Sequence, residues 1–212
     1  MTDCKICGNS VDELQCRQLY WHCPVCDLIT LDNNELLTPE AEKERYQLHN
    51  NVAENEGYVL MFERFLEFAA PWLPDGGQAL DFGCGPGPVL ARMLEQQGWE
   101  VTIYDPFFAP SRDFCQHSFE LVTATEVFEH FVYPLAELRT LNAVLAPGGV
   151  LAVMTHFHSG PDAFCDWWYR RDPTHIVFYS IKTFLWLANE LGLELKASDN
   201  KKSVVLQKPA QS

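Results

Sequence analysis

The sequence predicts an α/β fold: a Rossmann-like, mostly parallel sheet with flanking helices and an antiparallel last strand, plus a small cysteine-rich segment at the N-terminus. Three observations predict it. The stretch Gln78 to Phe82 runs into a glycine-packed turn, Gly83-Cys84-Gly85-Pro86-Gly87, and then into the amphipathic run Val89-Leu90-Ala91-Arg92-Met93-Leu94. That is a strand, a turn and a helix. Strand-like and helix-like segments alternate from there to about residue 191, the pattern of a parallel sheet with right-handed crossovers. Two C-x-x-C pairs precede all of this.

Those pairs, Cys4/Cys7 and Cys23/Cys26, are separated by fifteen residues. Two such knuckles can close a tetrahedral thiolate shell around one Zn²⁺, so residues 1–36 read as a zinc-ribbon-like segment. A segment this short cannot bury enough surface to fold alone, and metal binding would supply its folding energy. With four thiolates there is no open coordination position, so the site reads as structural. Cys16 and His22 lie between the knuckles and are taken as bystanders. The eight cysteines are read as thiols or metal ligands before disulfides. Met1-Thr2-Asp3-Cys4-Lys5 lacks the apolar core of a secretion signal, no apolar run is long enough to span a bilayer, and a cytoplasmic location is expected.

Residues 37–76 read as connecting, lid-like helices. Thr38-Pro39 opens the first with an N-cap and a proline in the first turn, followed by Glu40, Glu42 and Glu44, and it runs to about Asn50-Asn51. The second, from about Gly57 to Ala70, carries Tyr58, Met61, Phe62, Phe65 and Leu66 at helical spacing. Residues 77–212 form the main domain, with strands expected at 78–82, 100–104, 120–124 and 150–154. Helices are expected at 88–97, 134–145 and 181–191, the last capped by Ser180, and Ser203 to Gln207 reads as the antiparallel last strand.

Glycines at alternate positions let a ligand press on bare backbone, and Asp105 ends the second strand where a nucleotide-binding fold places a ribose-holding carboxylate. A nucleoside cofactor is therefore expected. A dinucleotide site wants G-x-G-x-x-G, but the third position here is Pro88, and no phosphate-cradling G-x-x-x-x-G-K-[ST] is present. The run Asp81-Phe82-Gly83-Cys84-Gly85-Pro86-Gly87 instead resembles motif I of the class I S-adenosylmethionine-dependent methyltransferases. The resemblance continues, in the family's order, at Phe119-Glu120-Leu121-Val122, at Glu126-Val127-Phe128-Glu129-His130 and at Leu145-Ala146-Pro147-Gly148-Gly149-Val150-Leu151, covering about residues 58 to 160.

The resemblance implies S-adenosylmethionine against Asp81, Phe82, Gly83, Gly85 and Gly87, with Asp105 and Pro106 at its ribose and Thr125 and Glu126 beside it. Asp113 would meet the adenine amine. Only thirteen residues separate Asp105 from Phe119, too few for the family's usual helix, third strand and loop, so a compact non-helical crossing is expected. Glu126-x-x-Glu129-His130 resembles a motif that in some O-methyltransferases of the family holds a divalent cation beside the acceptor hydroxyl. Another reading keeps Glu129 as a helix-start acid and His130 as a pocket residue or base. Glu126, Glu129, His130 and His175 are the candidate catalytic residues, with His156 behind them. In this superfamily the helix before the first strand often closes over the cofactor, which adds Tyr46, His49 and Tyr58 as candidate contacts. The family's zinc ribbons usually pack over the cofactor domain and shape substrate access.

Net charge is −14, which repels phosphate backbones, and the few basic pairs, Lys201-Lys202 and Arg170-Arg171, do not argue for RNA. A small-molecule acceptor is expected. Two alternatives stay open: an rRNA methyltransferase, encouraged by the ribbon, and a catalytically reduced module that binds cofactor and zinc for interaction alone.

Overall fold

The computed structural model describes residues 3–47 and 56–210, apart from the side chains at positions 39, 43, 46, 47 and 56. In chain order the elements are β1 (Asp12–Gln15), β2 (Leu19–His22), β3 (Ile29–Leu31), α1 (Pro39–Gln47), α2 (Glu56–Ala69), β4 (Gln78–Phe82), α3 (Val89–Gln96), β5 (Glu100–Tyr104), β6 (Phe119–Thr125), α4 (Pro134–Val144), β7 (Leu145–Met154), α5 (Pro161–Phe164), β8 (Val177–Phe178), α6 (Ile181–Leu191), β9 (Glu194–Ser198) and β10 (Ser203–Gln207). None of the described helices is long and apolar enough to cross a membrane.

Six strands form the main sheet in the order β5-β4-β6-β7-β10-β9. The first four run parallel, with Leu80 opposite Thr102 and Val122, and β10 joins β7 antiparallel. Because strand side chains alternate between faces, the sheet feeds two apolar layers. Ala79, Leu121, Val150 and Val205 face α2 and α3, packing with Phe65, Leu90 and Leu94. Leu80, Val122, Leu151 and Val204 face the other way, toward Leu138 and Leu141 of α4 and Phe184 and Leu187 of α6. The α6 cap is as expected: Ser180 Oγ accepts the Thr183 N–H while Thr183 Oγ1 takes the Ser180 N–H.

Strand β9 was not expected. It pairs antiparallel with β10 across a turn in which Asp199 Oδ1 accepts the N–H groups of Lys201, Lys202 and Ser203 at 2.8, 2.8 and 2.9 Å. The signal was Asp199-Asn200, whose short side chains favour such turns and the left-handed backbone found at Asn200 (φ 56°). Between β5 and β6 the chain makes an Asp105–Ala109 bridge and one 3-10 turn, Asp113–Gln116, so β5 stands at the sheet edge.

The N-terminal segment is knit into the domain. Strands β1, β2, β3 and β8 form a second, antiparallel sheet, in which β8 comes from the far end of the chain. Cys4, Ile6 and Tyr20 share one apolar cluster with Phe164, Phe178 and Leu151. The reading of all cysteines as thiols or metal ligands is corrected at one pair, because Cys16 and Cys165 form a disulfide. Cys16 at the β1–β2 turn had no visible partner in sequence, since its mate lies 149 residues away.

Candidate active site

The parallel strands end at a cavity of about 850 Å³. It is lined by Phe82, Gly83, Gly85, Pro86, Tyr104, Asp105 and Pro106, which end or follow β4 and β5, and by Thr125, Glu126, His130, His156, Tyr169 and His175 from β6 and later in the chain. Glu42 and Arg45 of α1 and Tyr58 and Met61 of α2 also line it, so both connecting helices contribute. Of the other lid candidates, His49 and the Tyr46 side chain lie outside the described residues.

The glycine turn is positioned by backbone. Gly83 and Gly85 take positive φ (83° and 65°), and the N–H groups of Gly83 and Cys84 both reach the Tyr104 carbonyl, at 2.7 and 3.1 Å. A Cβ on Gly83 would stand 2.2 Å from Val127 Cγ2, so glycine is required by contact as well as by conformation. Asp105, 8% exposed, accepts the Gly85 N–H on Oδ2 at 3.1 Å and those of Phe107 and Phe108 on Oδ1 at 2.8 and 3.0 Å. Its carboxylate thereby ties the turn to the next loop and still faces the cavity.

Three expected cofactor residues stand elsewhere. Asp81 is buried beneath the turn, where it accepts from Thr123 Oγ1 at 3.1 Å, and burial pushes its carboxyl up to about 7. Gly87 lies outside the cavity lining. Asp113 is exposed on its 3-10 turn, taking the Ser111 hydroxyl at 2.7 Å, and the cavity does not reach it. The shortened crossing moved that acid to the surface.

On the neighbouring side the chain is less regular. Glu126 follows β6 in a left-handed conformation (φ 54°), a strained setting for a residue with a Cβ, and its N–H is held by the Met154 carbonyl at 2.7 Å. One turn later, fully buried Glu129 comes beside it. The Tyr169 hydroxyl bridges them, 3.0 Å from Glu126 Oε2 and 2.5 Å from Glu129 Oε1. Burial first, and the Glu129 charge second, push Glu126 up to about 8, and burial also raises Glu129. Glu126 Oε1 and Glu129 Oε2 are buried with no hydrogen-bond partner among the described residues. His130 Nδ1 lies 2.8 Å from the Thr174 carbonyl and His175 Nδ1 2.8 Å from that of Tyr169. A carbonyl accepts only, so each ring carries a proton on Nδ1. Ligand atoms of Glu129, His130 and His175 lie within 4.8 Å of one another, so this group could hold a metal ion. His156 packs its ring 4.8 Å from that of Tyr169 and is pushed down to about 4, mainly by burial.

Tyr169 is a cavity residue that no sequence signal singles out. It sits in an aromatic run with no spacing to set it apart, and only folding brings its hydroxyl onto the two glutamates. The run reaches the cavity at Trp168, Tyr169, Arg171 and Asp172, with Arg45 Nη2 on Asp172 Oδ2 at 2.9 Å.

Outside the cavity, the sulfurs of Cys4, Cys7, Cys23 and Cys26 lie within 4.8 Å of one another, with Cys4–Cys26 at 3.5 Å and Cys7–Cys23 at 3.3 Å. Tetrahedral zinc with bonds of about 2.3 Å needs sulfurs roughly 3.8 Å apart, which this cluster approaches. Both knuckles have the same build: the Gly8 N–H reaches the Cys4 carbonyl and the Asp27 N–H the Cys23 carbonyl, with Gly8 and Asp27 left-handed (φ 68° and 63°). Asp27 is steadied there by His22 Nε2 on its carboxylate at 2.8 Å and by His158 Nε2 on its carbonyl at 2.8 Å. His22 is thus a support of the second knuckle.

A family model described as a methyltransferase domain matches residues 52–198. No curated protein matches the chain. Among solved structures, the mitomycin 7-O-methyltransferase MmcR is similar at 13% identity and a TM-score of 0.56, over 80% of this chain and 58% of that one. A protein from Methanococcus maripaludis, assigned as an S-adenosyl-L-methionine-dependent methyltransferase, is similar at 14% identity and 0.53, over 82% and 94%. CalO1, a methyltransferase of calicheamicin biosynthesis in its S-adenosylhomocysteine-bound form, is similar at 15% identity and 0.50, over 71% of this chain and 54% of its own. With a domain match over most of its length and the sheet those enzymes share, this chain belongs to the class I S-adenosylmethionine-dependent methyltransferases.

Proposed function

We propose that the protein methylates an oxygen of a small-molecule acceptor, with a divalent cation in the Glu126–Glu129–His130–His175 cluster and a structural zinc in the N-terminal cluster. One observation carries this reading: a single cavity joins the glycine turn and Asp105 to Glu126, His130 and His175, and the two histidines form with buried Glu129 a group that could hold a metal ion.

S-adenosylmethionine supplies a methyl group on a sulfonium, and in-line displacement depends mainly on alignment and exclusion of water. Gly83 and Gly85 give it bare backbone, and the Asp105 oxygens keep lone pairs for a ribose diol beside the N–H groups they already accept. The acceptor end fits a cation on its chemistry. Two buried carboxylates each keep one oxygen without a partner, and two imidazoles have their Nδ1 protons pinned on carbonyls, the support usual for histidine ligands. Bound there, a divalent ion would lower the pKa of an acceptor hydroxyl. Tyr169 orients the two glutamates, and burial keeps His156 neutral beside the Tyr169 ring. The net charge of −14 supports a small acceptor over RNA. At the N-terminus, four sulfurs at near-tetrahedral spacing support zinc and leave it no open position. A cytoplasmic setting, where thiolates persist, suits that cluster.

The test is transfer of radioactive methyl from S-adenosylmethionine into cell extract, split into RNA, protein and metabolite fractions, with and without added Mg²⁺ or Mn²⁺. Cation-dependent label in the metabolite fraction is expected. Label in RNA would move the reading to nucleic acid, and none in any fraction would favour a binding module without catalysis.

A further inference from the structure

The Cys16–Cys165 disulfide connects two regions that the rest of the fold joins only through side chains. Cys16 sits at the tip of the N-terminal hairpin, and Cys165 follows α5, with their Cα atoms 5.3 Å apart. From Cys165 the chain goes directly into the cavity wall, at Trp168, Tyr169, Arg171, Asp172 and His175. Among the described residues, every backbone–backbone hydrogen bond made between 161 and 175 stays inside that segment: Trp167 to Phe164, Arg171 to Trp168 and His175 to Asp172. Neither sheet holds it. Its other ties to the hairpin are contacts of side chains, namely Phe164 against the Tyr20 ring at 4.9 Å and the Arg170 guanidinium 5.9 Å from that ring's centre. The six remaining cysteines are free thiols, four of them in the metal-type cluster, so this pair stands apart from the others.

We propose that Cys16 and Cys165 form a reversible redox staple that fixes the acceptor-side wall of the cavity and leaves the cofactor end unaffected. The assignment of that wall to the acceptor rests on the function proposed above, whereas the staple itself does not. Both cysteines are half-buried, so a small thiol can reach them. Reduction by a dithiol breaks the S–S bond through a mixed disulfide. Two electrons and two protons pass to Cys16 and Cys165, and the dithiol leaves as its own disulfide. Oxidation by a small disulfide such as oxidised glutathione is the reverse exchange. Once the bond is open, segment 161–175 keeps only contacts of side chains to the hairpin, and local opening becomes easier. The glycine turn and Asp105 are held by β4, β5 and their own loop, and make no bond to this segment.

The zinc-loaded full chain is compared after treatment with oxidised glutathione and with dithiothreitol. Alkylation and intact mass should show two fewer reactive thiols in the oxidised form. Limited trypsin digestion should cut after Arg170 and Arg171 about tenfold faster in the reduced form, while the S-adenosylhomocysteine affinity measured by calorimetry stays the same. Cys165→Ser and Cys16→Ser should each behave as the reduced form under both treatments, with the cluster still binding zinc. The staple is overturned if no cross-link forms, if both forms are cut equally fast, or if Cys165→Ser is cut as slowly as the oxidised protein. Failure of both forms to bind S-adenosylhomocysteine would instead count against the methyltransferase reading, because the thiol count and the cleavage rates do not involve the cofactor.

Discussion

The two ends of the cavity are built by different means. At the glycine-turn end the shape comes from main chain: the ends of β4 and β5, two left-handed glycines, and one carboxylate accepting three nearby N–H groups. All of it lies within about thirty residues. On the neighbouring side Glu126 and Glu129 follow β6, His175 and Tyr169 come from some forty residues later, and the wall is fastened to a hairpin near the N-terminus. The first end is local and backbone-defined, and the second is assembled from remote side chains. The first should therefore survive damage to the second, and the second should be more sensitive to anything that loosens the hairpin.

The largest effect should follow metal removal. With zinc in the cysteine cluster, as proposed, chelation or Cys23→Ser should take away a binding energy of about 10 kcal/mol or more. Hydrogen exchange should rise through residues 3–31, β8 and segment 161–175, while S-adenosylhomocysteine binding falls by no more than about tenfold. Equal loss at both ends would show that they form one cooperative unit.

Gly83→Ala should be the most damaging single change within the cofactor end. The new methyl meets Val127 Cγ2 at 2.2 Å and sits on a backbone with φ 83°, so a loss of about 2–4 kcal/mol is expected by thermal or urea unfolding. Adding Val127→Ala should recover the part due to contact and leave the part due to conformation. No recovery would mean that conformation alone dominates. Asp105→Ala strands three N–H groups and removes the ribose acceptor, so calorimetry should show S-adenosylhomocysteine binding weakened about 100-fold, by about 2–3 kcal/mol. Acceptor-end cation binding, followed with Mn²⁺, should be unaffected.

The contrast also explains what could be read from the sequence. The sheet, its helices, the antiparallel β10 and the glycine turn were legible because each rests on local periodicity or backbone chemistry. So was the short crossing after Asp105, from its length alone. Asp113 was misplaced because the resemblance supplied a role that the missing helix could no longer position. Strand β9 escapes the sequence although Glu194-Leu195-Lys196-Ala197-Ser198 alternates polar and apolar, because five residues with only two apolar members give a weak signal. The Cys16–Cys165 bond and Tyr169 were out of reach, since nothing local marks a partner 149 residues away or picks one aromatic from several. The four-cysteine cluster was legible as a spacing, but its union with β8 was not.

At the acceptor end Tyr169→Phe removes one oxygen and keeps the carbonyl that pins His175. Methyl transfer should fall about 10- to 100-fold in kcat, with S-adenosylhomocysteine affinity unaltered, because two buried carboxylates lose the hydroxyl that bridges them. An equal loss in cofactor affinity would show that the two ends communicate through Glu126.

The smallest effect concerns pH and belongs to Asp81, the acid beneath the glycine turn. Burial raises its folded carboxyl to about 7, whereas the unfolded value lies near 3.8. Between those values the folded state holds a proton that the unfolded state has released, so stability falls as pH rises. The slope cannot exceed about 1.4 kcal/mol per pH unit from one group, and relaxation around the site makes it smaller. Asp81→Asn keeps an acceptor for the Thr123 hydroxyl without the charge, so its thermal midpoint should vary less between pH 4 and pH 7 than that of the unaltered protein. Equal slopes would mean that Asp81 is ionised in the fold and that the turn above it already supplies the charge's partners. The cofactor end would then owe its stability to electrostatics as much as to backbone geometry.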